Sequence, residues 1–198
     1  MTERPILFSG PMVRAILEGR KTQTRRVIVP QPGGMEDDRR RLSVESDALR
    51  KGRPGDLLWV RESFWMDQSG GVWVYRAGTL NVPNPDWPPS NCGGHGVPSI
   101  HMPRWASRLT LRITSVIVHK IQQIGDDEIM AEGIIAHDKG GEPRIGRIMY
   151  AAREGNHCEW ELTGRAAFAR LWDSINAKRG YSWESNPWVW AITFERVV

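Results

Sequence analysis

The stretch 19–26, near the start of the chain, concentrates side chains that bind anions or move protons. It carries one amine, on Lys21, two threonine hydroxyls and three guanidinium groups. A threonine hydroxyl becomes a nucleophile when a base removes its proton, and a desolvated lysine can be that base near neutral pH. Guanidinium groups bind phosphate and stabilise developing negative charge. These residue types indicate a ligand site. A basic helix end that neutralises its own carbonyls is the alternative.

The local conformation decides whether Lys21 and Thr24 can meet, because they are three residues apart. On a helical turn their side chains would be neighbours, whereas on a strand they would point to opposite faces. The stretch follows an amphipathic segment and leads into the β-branched run 27–29. We therefore expect it to form a turn that ends a helix and enters a strand.

The spacing of apolar residues predicts the elements around this stretch. A strand is expected at 5–9, followed by a helix that begins at Gly10 and Pro11 and ends at Gly19. Further strands are predicted at 27–29, 57–62, 72–75, 108–118 and 187–194, and short helices after 125 and after Thr163. Residues 72–75 are expected to pair with 57–62.

Alternation gives two of these strands an apolar face. Along 108–118 one face is apolar, with Leu109, Leu111 and Ile113, and the other is polar, with Arg108, Thr110, Arg112 and Thr114. One face of the last strand carries Trp188, Trp190, Ile192 and Phe194. The helix after Thr163 has an apolar stripe formed by Phe168, Leu171, Trp172 and Ile175.

Short strands with few helices predict an α+β fold. We expect a small curved β-barrel with helices packed on it, closed by pairing of the first strand with the last. A minimal barrel needs fewer than 198 residues. The surplus is therefore assigned to loop insertions near 31–55, 78–98 and 136–158 of a single domain, 1–198.

The composition favours a nucleic-acid or nucleotide partner. The chain has 22 Arg and five Lys, and guanidinium groups pair with phosphate and stack on bases. Surface ion pairs are the alternative use of so much arginine. The net charge of +4 is mild, so a nucleic-acid site must be a local patch.

The sequence also predicts a cytoplasmic protein without a membrane span, because no apolar run is long enough and no signal peptide begins the chain. The chain has two cysteines, too few for a disulfide framework. With two histidines they offer four possible zinc ligands: Cys92, His95, His157 and Cys158. Adjacent residues seldom reach one metal together, and both groups fall in predicted loops. We predict no metal and no cofactor.

The basic stretch resembles the signature of the ASCH superfamily, small β-barrel domains related to the PUA RNA-binding domains. The pattern G-x-K-x-x-[E/T]-x-R, after a strand and a helix, is met by Gly19, Lys21, Thr24 and Arg26. The segments 54–56, 131–134, 98–104 and 186–190 are similar to those of longer ASCH proteins of bacteriophages and prophages. The resemblance covers most of the chain.

Many ASCH proteins have glutamate where this chain has Thr24. Threonine there is similar to a subgroup of small ASCH amidohydrolases, which remove acyl groups from the exocyclic amine of cytidine with Lys, Thr and Glu. Lys21 and Thr24 match that motif, and Glu132 on the later helix is the best match for the third member, with Glu62 as fallback. The implied role of Glu132 is to orient Lys21 or to protonate the leaving amine. A Lys21–Glu132 salt bridge with Thr24 bonded to backbone is the alternative.

The resemblance implies recognition of RNA or a modified nucleoside in a cleft bordered by Lys21, Thr24, Arg26 and Glu132. If the protein is an enzyme, the implied reaction is hydrolysis of the acyl amide of an acylated cytidine in that cleft. The other residues assigned to binding share a charge or a place in the signature: Gly19, Arg20, Arg25, Glu62, Arg108 and Arg112. The alternatives are a non-catalytic RNA- or DNA-binding module, a ribonuclease and a phage assembly protein. The absence of histidine from the signature weighs against a ribonuclease.

Overall fold

A five-stranded sheet forms the centre of the computed structural model, which describes residues 1–32, 52–66, 73–75, 77, 96–138, 148–152 and 160–197. Its strands, in spatial order, are β1 (Glu3–Leu7), β3 (Leu57–Arg61), β6 (Thr110–Lys120), β9 (Trp188–Val197) and β2 (Gln23–Val27). β1 and β3 are parallel, and the other neighbours are antiparallel. With the helices described below, this confirms a mixed α+β fold.

The remaining described elements are two short hairpins, three α-helices and four short 3₁₀ helices, at Ser99–His101, Arg104–Ala106, Ile121–Gln123 and Ala177–Arg179. The hairpins are β4 (Phe64–Met66) with β5 (Trp73–Tyr75) and β7 (Ile135–Asp138) with β8 (Ile148–Ala151). The α-helices are α1 (Gly10–Leu17), α2 (Asp126–Ala131) and α3 (Gly164–Asn176). None of the helices in the described part of the chain is long and apolar enough to cross a membrane.

The described strands form an open sheet and do not close into the predicted barrel. β9 has β6 on one side and β2 on the other, so no edge is left for the expected pairing with β1. The predicted pairing of 72–75 with 57–62 is also wrong, because β1 and β6 occupy both edges of β3. β5 pairs with β4 instead. β7 and β8 form a hairpin partly inside the predicted insertion 136–158; much of the three insertions lies outside the described residues.

The two faces of the sheet carry different helices. Val13 and Ile16 of α1 belong to a buried cluster with Trp190 and Ile192 of β9. Because strand side chains alternate, Val189, directly before Trp190, points the other way. It belongs to a second cluster with residues of α2 and α3, Ile129, Phe168 and Trp172 among them. The alternation predicted for 108–118 is confirmed for Leu109, Leu111 and Ile113, which are all buried.

β2 begins earlier than the sequence predicts, so the second half of the basic stretch is itself a strand. The expected strand 27–29 starts at Gln23 and ends at Val27. Its polar residues show no apolar alternation that would mark a strand, and pairing with β9 from Gln23 to Val27 is what holds them extended. Lys21 and Thr24 therefore stand on extended chain and not on a helical turn.

Thr163 caps α3 as its sequence position predicts, because its hydroxyl accepts a hydrogen bond from the N–H of Ala166 at 3.1 Å. We expect Thr163→Ala to lower the free energy of unfolding by about 1 kcal/mol, since an N-cap hydroxyl satisfies a helix donor that is otherwise unpaired. Thr163→Ser keeps the hydroxyl and should be near neutral. Urea denaturation of both variants checks this, and equal losses would contradict a capping role.

Candidate ligand-binding site

A cleft lies beside β2, between α1 and α3. It consists of two adjoining cavities of about 630 and about 260 Å³. Both are lined by the same five residues, which makes them parts of one cleft: Met12, Arg26, Glu132, Leu171 and Ile175. The larger cavity extends along the start of α1 to the end of β1. The smaller one runs along β2 itself, where Thr24, Arg25, Arg26 and Val27 line it.

The open edge of β2 presents peptide groups that no described residue pairs with. Thr22 O accepts from Phe194 N at 2.9 Å, and Ile28 N donates to Trp188 O at 3.1 Å, so the even-numbered residues bond to β9. The N–H and C=O groups of Arg25 and Val27 therefore point away from β9. Because both residues line the smaller cavity, this edge borders the cleft.

The side chains of β2 alternate between the two faces of the sheet. Thr24 and Arg26 stand opposite Ile192 and Trp190, which belong to the cluster with α1. Arg25 lies on the other face, where its guanidinium sits 6.0 Å from the Phe168 ring of α3. The buried hydroxyl of Thr24 makes no hydrogen bond with any other described residue. The backbone bond that the salt-bridge alternative assigned to Thr24 is therefore not present among those residues.

Lys21 and Glu132 form a buried ion pair, which the sequence analysis predicted as one of two alternatives. Nζ of Lys21 donates to Oε2 of Glu132 at 2.7 Å, to the carbonyl of Glu132 at 2.7 Å and to the carbonyl of Gln23 at 2.8 Å. The two side chains are 1% and 5% exposed. An ammonium group has three donors, and all three are used here.

Arg25 completes the cluster from the opposite side of the carboxylate. Its NH1 donates to Oε1 of Glu132 at 3.0 Å and to Oε1 of Gln23 at 2.7 Å. Its NH2 forms an ion pair with Oε2 of Glu128 at 2.9 Å. Glu132 therefore holds two buried cations at once. We call Lys21, Arg25 and Glu132 the buried ion cluster.

The end of α2 brings Glu132 to Lys21. Glu132 directly follows the helix, and Gly133 takes the left-handed conformation, with φ at +93°, that turns the chain. A Cβ at Gly133 would lie 3.3 Å from Cβ of both Ala15 and Lys21, so a side chain there would crowd the cluster. Thr22 N donates to Ala131 O at 2.9 Å, which fixes the two segments against each other.

Burial is the main influence on Lys21. It lowers the pKa of the amine below the ordinary lysine value, while the charge and hydrogen bond of Glu132 raise it in opposition. The nearby guanidinium groups of Arg26 and Arg25 lower the same pKa further. Lys21 therefore has a physical reason to lose its proton below the usual pH. It lines neither cavity, so of the four residues predicted to border the cleft only Thr24, Arg26 and Glu132 do so.

Arg26 is the guanidinium that reaches both cavities. Its NH2 donates to Leu7 O at 2.6 Å, and its guanidinium lies 5.2 Å from the centre of the Phe8 ring. Arg26 thereby links β2 to the end of β1, and these are the two edge strands of the sheet. The hydrogen bond to Leu7 uses one of five N–H donors.

Two residues of the signature serve the backbone turn and not the cleft. Gly19 adopts φ +75° just beyond α1 and has the helix-terminating role that its position predicts. Arg20 pairs with Glu18, where its Nε donates to Oε2 at 2.8 Å. Neither residue lines the cavities.

The predicted binding residues outside the signature are committed to partners elsewhere. Arg108 makes a two-pronged bond to Glu62, at 2.7 and 3.1 Å, and its guanidinium lies 4.4 Å from the Tyr75 ring. The strand alternation placed Arg108 on a polar face, but the carboxylate of Glu62 allows the charge to be buried. Arg112 pairs with Glu195 at 2.9 Å on the exposed surface. None of these side chains lines the cleft.

The sequence analysis did not identify the wall that α3 contributes. Leu171 and Ile175 line both cavities, and Asn176 and Arg179 line the smaller one. One signal was available: Ile175 belongs to the predicted apolar stripe of the helix but remains 44% exposed. Arg179 follows the helix in a short turn, and no local pattern in the sequence marks it.

The described residues contain no group of three or more His, Cys, Asp and Glu side chains that could hold a metal. The four residues considered as zinc ligands, Cys92, His95, His157 and Cys158, lie outside the described part of the chain.

Comparisons with known proteins give a structural likeness. No family model and no curated protein matches the chain. A crystal structure of an ASCH domain from Lactobacillus crispatus JV V101 is similar, with 12% sequence identity and a TM-score of 0.42. The match covers 98% of this chain and 79% of that one.

Proposed function

We propose that this chain is an ASCH-type protein whose cleft recognises RNA or a modified nucleoside. The observation that carries the proposal is the open edge of β2 in the cleft. Arg25 and Val27 each offer one N–H donor and one C=O acceptor there. Unpaired nucleobases are recognised through hydrogen bonds to their Watson–Crick and Hoogsteen edges. Because those edges carry both donors and acceptors, peptide groups that offer both can bond to them.

The walls of the cleft suit the other parts of a nucleoside or a nucleotide. Met12, Leu171 and Ile175 supply apolar surface for a base, and Arg26 supplies a cation for sugar or phosphate oxygens. A cavity of about 630 Å³ has the size and mixed lining of small-molecule sites. The buried ion cluster stands behind β2 and holds the strand and the end of α2 together.

Arg26→Ala is expected to weaken ligand binding by about tenfold to a hundredfold, the value of one charge-assisted hydrogen bond. Calorimetric titrations with cytidine, N4-acetylcytidine and a short single-stranded RNA measure this. For RNA, the slope of log affinity against log salt should also fall by about one for each phosphate that the variant no longer binds.

Arg112→Ala is the matched control, because it removes an arginine whose partner is Glu195, away from the cleft. It should leave affinity for the nucleosides unchanged. Circular dichroism monitors the fold, since Arg26 also bonds to Leu7. Absence of binding to every nucleoside and RNA tested would reject the proposal, as would equal affinities of the two variants.

Hydrolysis of an acylated cytidine is the second candidate function. It is favoured by the Thr24 hydroxyl, which borders the smaller cavity and has no hydrogen bond with any described residue. Lys21, whose pKa burial lowers, bonds to the carbonyl that adjoins Thr24. Ribonuclease chemistry by histidine lacks such support, since no histidine in the described part of the chain lines either cavity.

A further inference from the structure

Two guanidinium groups border the smaller cavity from different elements. Arg26 enters from β2, and Arg179 from the turn that follows α3. Arg179 is exposed and makes no hydrogen bond or ion pair with any described residue. Arg26 keeps four N–H donors beyond the one bonded to Leu7. Both side chains therefore have donors available for a ligand.

Among the described residues, no carboxylate of the cavity is free to neutralise these two groups. Glu132 is the one that lines it, and its two oxygens are already bonded to Lys21 and Arg25. Burial lowers the pKa of Arg26, Glu132 opposes this, and the like charge of Arg179 lowers it again. Among the described residues, two like charges therefore border one cavity without a free carboxylate between them.

We infer that the cleft takes its nucleoside in phosphorylated form, with the phosphate held between Arg26 and Arg179. An anion between two guanidinium groups removes their repulsion, and the fork of each group fits phosphate oxygens in a two-pronged bond. The inference rests on the proposed function, because it places the base of the same ligand against the edge of β2. It adds Arg179, which the signature does not include, to the binding residues.

The test compares phosphorylated and unphosphorylated ligands by isothermal titration. The probes are the four ribonucleosides, their 5′-monophosphates, inorganic phosphate and a trinucleotide RNA with internal phosphates only. In the unmodified chain, a monophosphate should bind about tenfold or more tightly than its nucleoside. Arg179→Ala should remove most of this preference for the monophosphate over its nucleoside. A trinucleotide that equals or exceeds the monophosphate identifies RNA as the source of the phosphate, and a weaker one identifies a mononucleotide.

Lys178→Ala is the matched control, because Lys178 is an exposed neighbouring cation that lines neither cavity. It should keep the full preference for the monophosphate. Equal affinities for nucleoside and monophosphate in the unmodified chain overturn the inference and leave the proposed function standing. A preference for the monophosphate that survives in Arg179→Ala has the same consequence. If no nucleoside, nucleotide or RNA binds, the proposed function fails. In that case, saturable binding of inorganic phosphate that Arg179→Ala abolishes still supports an anion site between the two guanidinium groups. If inorganic phosphate does not bind either, the inference is overturned as well.

Discussion

Glu132→Ala is expected to lower the free energy of unfolding by about 3–5 kcal/mol, the usual cost of leaving buried charges without their partner. The carboxylate holds Lys21 and Arg25, whose side chains are each 1% exposed. Alanine would leave the buried Lys21 with only neutral acceptors, and Arg25 with Glu128 as its one remaining carboxylate. Urea denaturation followed by tryptophan fluorescence measures the change.

Two other variants give the scale for this effect. Lys21→Met should cost less, because Glu132 keeps its bond to Arg25. Glu195→Ala breaks an ion pair with Arg112 in which both side chains are about half exposed, and should change stability by no more than about 0.5 kcal/mol. Equal losses for Glu132→Ala and Glu195→Ala would show that the buried ion cluster stabilises the fold no more than a surface pair does.

A triple variant separates stability from function. Well-packed apolar side chains often replace a buried ion cluster without loss, so Lys21→Met, Arg25→Met and Glu132→Leu together should recover most of the stability that Glu132→Ala removes. The same variant removes the amine of the proposed hydrolysis and one guanidinium that lines the cleft. A stable triple variant that no longer binds or hydrolyses a ligand would indicate that the cluster serves the site and not the fold.

Local signals in the sequence predict the helices well. Pro11 and Gly19 mark the two ends of α1, and Thr163 caps α3, because each acts through its own backbone or its neighbours. The alternation of Trp190, Ile192 and Phe194 correctly predicts one buried face of β9. These features depend on contacts within a few residues, which the sequence shows directly.

Strand pairing is the part of the fold that the sequence does not show. The parallel pairing of β1 with β3 joins residues that are far apart in the chain. β5 pairs with β4, although by sequence β3 is an equally plausible partner. The start of β2 depends on β9, more than 160 residues later: Gln23 stands opposite Thr193. Only the folded chain makes a strand of a segment rich in arginine.

The candidate site likewise contains residues that the sequence predicted and residues that only the fold brings together. The Lys21–Glu132 pair was predicted because the family resemblance supplied both residues, whereas Arg25 as its third member and Arg179 on the far wall follow only from the fold. Glu62 and Arg108 were assigned to binding separately, and the structure shows that each is the other's partner. The cytoplasmic location, the phage origin and the catalytic activity stay predictions.

Thr24→Val is expected to lower the rate of N4-acetylcytidine deacetylation by at least about 10³-fold, because it removes the proposed nucleophile. In that reaction Oγ1 of Thr24 attacks the amide carbonyl, and its proton passes through one water to Nζ of Lys21, because the two side chains leave the extended chain on opposite faces. The C–N bond then breaks, the cytidine amine takes a proton, and water releases acetate from the threonine ester. Valine has nearly the shape of threonine, so KM should change little while kcat falls.

The pH dependence identifies the base. A neutral Lys21 amine keeps two N–H donors for its three acceptors and gains a lone pair for the Thr24 proton. Since burial lowers the pKa of Lys21, kcat/KM should rise with pH through an apparent pKa below the ordinary lysine value. Lys21→Met should abolish this rise together with the activity. N4-acetylcytidine that binds without release of acetate at any pH, or a rate that survives Thr24→Val, would reduce the cleft to a binding site. Among the described residues, Thr24 has the one hydroxyl that lines the smaller cavity.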